Sequence, residues 1–165
     1  MKVDVSDILL INGASKKISF TGEPPERVPS DGCTIEGDIS LTGTVTNNKG
    51  ILHLDGSLEA VCKSECYRCL KEVRSTLKLK IKEDFINSAD AEQNDMYPFE
   101  GKILDIDKAI NDNIILNLPM KHLCSDQCKG LCSKCGVNLN EVQCDCVDDA
   151  IDPRLEGLNK FFEKL

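Results

Sequence analysis

Polar and apolar residues alternate with a period of two through the middle of the chain. From Cys33 to Thr46, apolar residues and glycines occupy the odd positions, while threonine, serine and acidic residues occupy the even ones. Such alternation predicts a β-strand with one buried face. The next segment, 47–50, reads Asn-Asn-Lys-Gly and predicts a tight turn, because Asn and Gly tolerate positive φ angles.

Two further alternating runs follow, over residues 52–62 and 73–81. Three strands in succession predict an antiparallel meander with one face exposed to solvent. Before them, short apolar runs at 3–11 and 18–20 predict one or two short strands, and prolines then interrupt regular structure.

One helix is predicted after the sheet. Its apolar positions recur at helical spacing and are Ile106, Ala109, Ile110 and Ile114. Asp105 is the expected N-cap, and Pro119 should end the helix because the residue before proline resists helical geometry. We expect the apolar stripe to pack on the sheet and residues 111–113 to face solvent.

These elements predict an α+β fold in which an antiparallel β-meander is packed by one central helix. A β-rich domain is expected over residues 1–120, and a Cys-rich segment over 121–165 should pack on it as part of one globular unit. That segment should end in a short amphipathic helix over 152–165, with Asp152 as N-cap and Pro153 at N1. A cytoplasmic location is expected, since no export signal or membrane-length apolar run occurs.

The cysteines carry the strongest chemical signal. Eight of the ten are Cys66, Cys69, Cys124, Cys128, Cys132, Cys135, Cys144 and Cys146. Two thiols two residues apart can face one ion, and a second such pair completes a tetrahedral zinc cage. A disulfide framework is disfavoured because such frameworks belong mainly to small secreted domains. An iron–sulfur cluster is also disfavoured, since the spacing matches no ferredoxin pattern.

Two structural zinc sites are predicted. The first comprises Cys132, Cys135, Cys144 and Cys146. A possible second comprises Cys66, Cys69, Cys124 and Cys128, and would pin a hairpin tip to the C-terminal segment. Other partitions stay open: Cys62 or His122 could replace a ligand, and Cys124 or Cys128 could enter the first site. Cys33 is expected to be a small core residue.

Charge gives a weaker signal. The net charge of −8 argues against broad electrostatic binding to nucleic acid. Residues 61–82 are locally basic, however, so their Lys and Arg side chains could contact phosphate, and Tyr67 could stack on an unpaired base. The candidate RNA-binding residues are Tyr67, Arg68, Lys71, Arg74, Lys78, Lys80 and Lys82. Alternatively, this basic face is only solvated or pairs with the acidic segment 88–100.

The chain carries no phosphate loop, dinucleotide fingerprint or nucleophile elbow, so we predict that it is not an enzyme. The alternative is a thiol–disulfide redox protein that uses Cys66 and Cys69, with Arg68 lowering a thiol pKa. Redox motifs of this kind usually follow a strand in a βαβ unit, whereas this one lies in a predicted hairpin.

Five segments occur in an order that resembles the bacterial YceD family over nearly the whole chain. They are Glu65–Leu70, Leu116–Pro119, Cys128–Asn140, Cys144–Cys146 and Asp152–Leu155. The most specific is the string Cys-Lys-Gly-Leu-Cys-Ser-Lys-Cys-Gly over 128–136. The resemblance implies a non-enzymatic role in the accumulation of large-subunit ribosomal RNA, and hence in ribosome assembly.

The partners implied are large-subunit rRNA, a ribosomal protein, or both. A small zinc-bearing protein of the large subunit is one candidate, because its gene commonly neighbours those of the family. The acidity of the chain would suit a basic ribosomal protein. Some relatives lack the C-terminal cysteines, which implies that a metal there stabilises this branch of the family.

Overall fold

The computed structural model of the protein describes residues 1–24, 32–90 and 95–146. It has seven strands and one α-helix over these residues. The strands are β1 (Lys2–Asp4), β2 (Ser15–Gly22), β3 (Cys33–Asn48), β4 (Ile51–Glu65), β5 (Glu72–Asn87), β6 (Tyr97–Phe99) and β7 (Ile103–Asp105), and the helix is α1 (Asp107–Asn117). A 3₁₀ turn, Ser88–Asp90, follows β5.

Five strands form one sheet in the order β2-β3-β4-β5-β6, and β1 pairs with β7 in a separate two-stranded sheet. Strands β2 to β5 are antiparallel neighbours, which confirms the predicted meander. The short strand β6 was not predicted, and it adds to β5 in parallel. Its three residues are too few to show an alternation.

The hairpin between β3 and β4 turns at Lys49 and Gly50, which both have positive φ. This confirms the predicted turn. Near the other end of β3, residues 37–39 lie opposite the single residue Ala60. Because this bulge adds two residues, side chains before and after it keep the same buried face, as the sequence alternation requires.

The core lies between the buried face of the sheet and the segments that cover it. Ile110 and Ile114 of α1 belong to the same buried cluster as Leu54, Ile81 and Phe85. The helix ends at Asn117, ahead of Pro119 as predicted.

Two predicted details of the helix are wrong. Ile106, not Asp105, occupies the N-cap position, although the Asp105 carboxylate accepts a 3.0 Å hydrogen bond from the Asp107 N–H. Asn113 is buried instead of solvent-facing, because its amide bonds to Glu83 on β5 and to the Ala109 carbonyl. The sheet approaches this side of the helix closely enough to exclude water.

Cys33 and Cys62 are joined in a disulfide between β3 and β4, and both are buried. Cys33 is buried in the core, as expected, but its disulfide was not predicted, and the alternative in which Cys62 serves as a metal ligand is wrong. The predicted terminal helix over 152–165 and part of the acidic segment 88–100 lie outside the described residues. Within the described ranges, no helix has the length and apolarity needed to cross a membrane.

Candidate metal centres

The first group of four thiols, here called the hairpin site, joins the β4–β5 hairpin to the C-terminal segment. Cys66 and Cys69 lie in the hairpin tip, while Cys124 and Cys128 follow α1. All four sulfurs lie within 4.8 Å of one another. The Sγ atoms of Cys66 and Cys128 are 3.8 Å apart, and those of Cys69 and Cys124 are 3.6 Å apart.

The second group, here called the C-terminal site, comprises Cys132, Cys135, Cys144 and Cys146, with sulfurs also within 4.8 Å of one another. The Cys144 Sγ lies 3.4 Å from the sulfurs of both Cys132 and Cys135. The structure thus brings together the first set, which the spacing predicted, and the possible second set, which was inferred from the advantage of closing a long loop. The alternative in which Cys124 or Cys128 enters the C-terminal site does not occur.

The sulfur geometry can be compared with that of a zinc thiolate site. A tetrahedral ion with Zn–S bonds of about 2.3 Å places its ligand sulfurs about 3.8 Å apart. The closest sulfur pairs in both groups lie within about half an ångström of that separation. Both groups could therefore hold a four-coordinate metal ion with little rearrangement.

Backbone N–H groups in both sites favour thiolates, the form that binds metal. Burial of Cys66 raises its pKa, but hydrogen bonds from the N–H groups of Cys124, Arg68 and Cys69 outweigh this and lower it to about 6. The N–H groups of Cys135 and Lys134 lower the pKa of Cys132 to about 6.

Other thiols in the same sites resist ionisation because thiolates are close by. Contacts with the thiols of Cys128 and Cys69 raise the pKa of Cys124 to about 12. Cys144 accepts a hydrogen bond from the Cys146 N–H, which lowers its pKa, but three neighbouring thiols raise it to about 12. Ionisation of all four thiols in one site would need a compensating cation, which a divalent metal ion could supply.

The C-terminal segment is also tied to the hairpin tip by hydrogen bonds. The Arg68 guanidinium donates to the carbonyl of Cys128 at 2.9 Å, and the Arg68 carbonyl accepts from the Leu131 N–H at 3.0 Å. The Tyr67 N–H donates to the His122 carbonyl at 2.9 Å. Hydrogen bonds to the hairpin tip therefore lie on both sides of the ligands Cys124 and Cys128 in the sequence, at His122 before them and at Leu131 after them.

His122 does not serve as a substitute ligand in either group. Its buried ring packs edge-on against Tyr67, with ring centroids 5.8 Å apart. It contributes to the junction between the hairpin and the C-terminal segment.

The basic face of β5 is largely neutralised by acidic residues of β3, β4 and β5 itself. Arg74 pairs with Glu36 and Glu72, at 2.8 and 3.1 Å. Further pairs are Lys63 with Glu72, Lys78 with Glu59 and Lys82 with Asp55. In the part of the chain that the structure describes, the ion-pair partners of this face thus come from β3, β4 and β5, and the pairs involve no residue of the acidic segment 88–100.

At the hairpin tip, the remaining candidates are more accessible. The Tyr67 side chain is 52% exposed, and the neighbouring Leu70 is 61% exposed. Lys71 is also exposed, and Lys80 on β5 lies opposite the uncharged Ser57. In the described residues, neither lysine belongs to an ion pair.

Sequence reasoning missed two residues that support the sites. Arg68 was considered only as an RNA or redox residue, whereas its guanidinium and carbonyl hold the C-terminal segment. Asn140 donates from Nδ2 to the Cys128 sulfur at 3.3 Å. Its place in the polar loop between Cys135 and Cys144 was the available signal.

Residues 54–162 match the family described as "Large ribosomal RNA subunit accumulation protein YceD". A chloroplastic protein of Arabidopsis thaliana, named Large ribosomal RNA subunit accumulation protein YCED homolog 1, is 38% identical over 69 residues. That alignment covers 42% of this chain but only 22% of the plant protein.

Two bacterial proteins described as uncharacterized are also similar. One from Mycobacterium tuberculosis strain H37Rv is 26% identical over 150 residues, which cover 84% of this chain and 70% of that protein. YlbN of Bacillus subtilis is 29% identical over 102 residues, covering 60% of this chain and 59% of YlbN. No solved structure matches the chain.

Proposed function

The chain belongs to the YceD family, and we propose that it is a non-enzymatic factor that supports accumulation of large-subunit rRNA by binding rRNA or a ribosomal protein. The observation that carries the proposal is the family match over 54–162, which includes both cysteine groups. A cage of four thiolates leaves no open position for substrate or water, so a metal there has a structural role.

We propose zinc as the metal in both sites, because all eight ligands are thiolates and their separations suit tetrahedral coordination. Metal analysis of protein purified without chelators should find two zinc ions per chain and few thiols accessible to a thiol reagent. Metal-free protein that forms a reversible Cys66–Cys69 disulfide would instead favour the redox alternative. A closed cage argues against that alternative, since metal-bound thiolates are not free to exchange.

The proposed contact surface is the hairpin tip, comprising Tyr67, Arg68, Leu70 and Lys71. An exposed aromatic ring can stack on an unpaired base, and an exposed lysine with no ion-pair partner among the described residues can contact phosphate. The basic face of β5 is the weaker candidate, because the acidic partners of Arg74, Lys78 and Lys82 reduce its net charge. The hairpin site would hold the tip rigid in this arrangement.

Two sets of substitutions distinguish the surfaces. Tyr67→Ala with Lys71→Glu should reduce binding of a large-subunit rRNA fragment by about 1–3 kcal/mol, the magnitude of one lost stacking contact. Lys78→Glu with Lys80→Glu and Lys82→Glu should change it less. The opposite ranking would assign RNA binding to β5, and unchanged binding in both variants would discard direct RNA contact at these residues.

Affinity capture tests the class of partner. The tagged protein should be recovered from cells with large-subunit rRNA or ribosomal proteins, identified by sequencing and mass spectrometry in one sample. The matched control is the Tyr67→Ala and Lys71→Glu variant. Capture of neither rRNA nor a ribosomal protein would contradict the proposed function.

A further inference from the structure

Asn140 connects the two cysteine sites. Its backbone lies in the loop between Cys135 and Cys144 of the C-terminal site, but its side chain reaches the hairpin site. The Nδ2 atom lies 3.3 Å from the Cys128 Sγ, and Oδ1 accepts a 2.8 Å hydrogen bond from the Lys129 N–H. The side chain of Asn140 thus contacts a ligand of the hairpin site, while its backbone lies between two ligands of the C-terminal site.

Neighbouring groups determine the orientation of the Asn140 amide. The Lys129 N–H can only donate, so it must face Oδ1, and Nδ2 must then face the Cys128 sulfur. Nδ2 also donates to Asn138 Oδ1 at 2.7 Å, and that oxygen accepts the Asn140 backbone N–H at 3.0 Å. A flipped amide would lose these bonds and place an oxygen against a thiolate.

Ligands of the C-terminal site lie at both ends of this loop. Cys135 and Cys144 flank the loop, and the gap between their sulfurs is 3.4 Å. A few backbone contacts support it, including the 2.9 Å bond from the Leu139 N–H to the Gly130 carbonyl and the bridge between Leu131 and Asn138. A metal joining both ends of the loop would therefore fix the distance from Asn140 to Cys128.

We propose that Asn140 is a positioning residue that couples the two sites, so that metal in the C-terminal site strengthens metal binding at the hairpin site. This inference rests on the metal binding proposed above. A divalent ion with four thiolates has a net negative charge, which an N–H donor stabilises. Loss of such an outer hydrogen bond typically lowers metal affinity about 10- to 100-fold. Linkage makes the coupling reciprocal.

Cadmium-113 NMR of the full chain tests the coupling, because the two sites should give separate resonances that can be assigned by Cys→Ser variants. A competing chelator then measures Cd²⁺ affinity at each site. Asn140→Ala should weaken the hairpin site about 10- to 100-fold. Cys144→Ser with Cys146→Ser should weaken the hairpin site to a similar extent, and adding Asn140→Ala to that variant should change little more. Val142→Ala, an exposed position of the same loop, is the matched control.

The outcomes separate this inference from the proposed function. Wild-type protein that binds no cadmium would overturn both the coupling and the proposed metal binding, but not the proposed role in rRNA accumulation. Two bound ions with equal hairpin-site affinity in wild type and Asn140→Ala would overturn the coupling alone. So would a hairpin site that is unaffected by loss of Cys144 and Cys146. Amide spectra of the sheet report the folding of each variant. Asn140→Asp keeps the acceptor for Lys129 but removes the donor to Cys128, so it should weaken metal binding at the hairpin site at least as much as Asn140→Ala.

Discussion

At the scale of single residues, Tyr97 links the edge of the sheet to the helix. Its hydroxyl donates to the Asp112 carboxylate of α1 at 3.1 Å, and its ring lies 5.6 Å from that of Phe85 on β5. Burial raises the pKa of Tyr97 to about 12, and the hydrogen bond and charge of Asp112 act in the same direction. The fold therefore holds this phenol neutral well above its ordinary range.

This pKa shift predicts an alkaline loss of stability. Below the ordinary tyrosine pKa of about 10, the phenol is neutral in both folded and unfolded chains, so its contribution is fully present. As pH rises from about 10 toward 12, the unfolded chain ionises first and stability falls. Ultraviolet titration should show a tyrosine ionising near pH 12 that is absent in Tyr97→Phe. A Tyr97 signal titrating near 10 in the folded protein would contradict the prediction.

Gly130 permits the close approach of the C-terminal segment to the hairpin tip. Its φ is +78°, and a Cβ there would lie 3.1 Å from the Arg68 carbonyl oxygen. Gly130→Ala should therefore weaken the bond from the Leu131 N–H to that oxygen, at a cost of at least about 1 kcal/mol. Hydrogen exchange of the Leu131 amide measures this. Gly136→Ala is a matched control, because Gly136 has a similar φ of +72° but open space around its Cβ position. Equal Leu131 exchange in both variants would refute the steric argument.

At the scale of elements, β3 and β4 place Gly43 directly opposite Gly56. A Cβ on Gly43 would lie 2.7 Å from the Asp55 carbonyl oxygen and 2.8 Å from the Gly56 Cα. Since both are backbone atoms, neither can rotate away.

Gly43→Ala should therefore destabilise the sheet by about 1–3 kcal/mol, the usual cost of overpacking. Urea denaturation followed by circular dichroism measures the change. Thr34→Ala, an exposed position of the same strand, should cost much less. A Gly43→Ala protein as stable as the Thr34→Ala protein would show that the strands can separate freely here.

The long strands were predictable because their signal is local. The alternation that starts at Cys33 and the Lys49–Gly50 turn specify which face of β3 and β4 is buried. Apolar residues occupy odd positions before the turn and even positions after it. The grouping of the cysteines was predictable for a related reason, since thiol pairs close in sequence must converge locally. Which two cysteine pairs share one site depends on how the hairpin tip contacts the segment after α1. The sequence gives no direct signal for that contact, and the pairing was inferred only because a metal there would close a long loop.

Features that depend on distant partners were not predictable. Strand β6 is defined by its pairing with β5, and Asn113 is buried because the sheet happens to pass beside it. The place of Asn140 in a polar loop between two ligands was visible in the sequence, but no spacing links it to Cys128, because that sulfur belongs to the other site. The sequence pattern placed Cys33 and Cys62 on adjacent strands, but it could not show the β3 bulge, which sets the register that brings the two sulfurs together.

At the scale of the whole molecule, the sheet and the C-terminal segment differ in how much buried apolar surface stabilises them. The sheet, α1 and the N-terminal residues share one large buried cluster. Among the described residues, the second cluster has three buried members, Cys66, Cys69 and Cys128, with Val73, Leu123 and Leu131 packed around them. Apolar burial in so small a cluster offsets little of the entropy of ordering the C-terminal segment, and the zinc proposed above would supply further stabilisation there.

Removal of metal should therefore loosen one part of the molecule and leave the other folded. After chelation, hydrogen exchange should accelerate at residues 66–71 and 122–146, while the central strands keep their protection because their core contains no metal ligand. Far-ultraviolet circular dichroism should retain its β-sheet signal. Readdition of zinc should restore protection, and magnesium is the matched control because thiolates bind it poorly. Uniform loss of protection across the sheet would show that the two regions fold as one cooperative unit. Unchanged protection everywhere would show that hydrogen bonds such as those of Arg68 hold the C-terminal segment without metal.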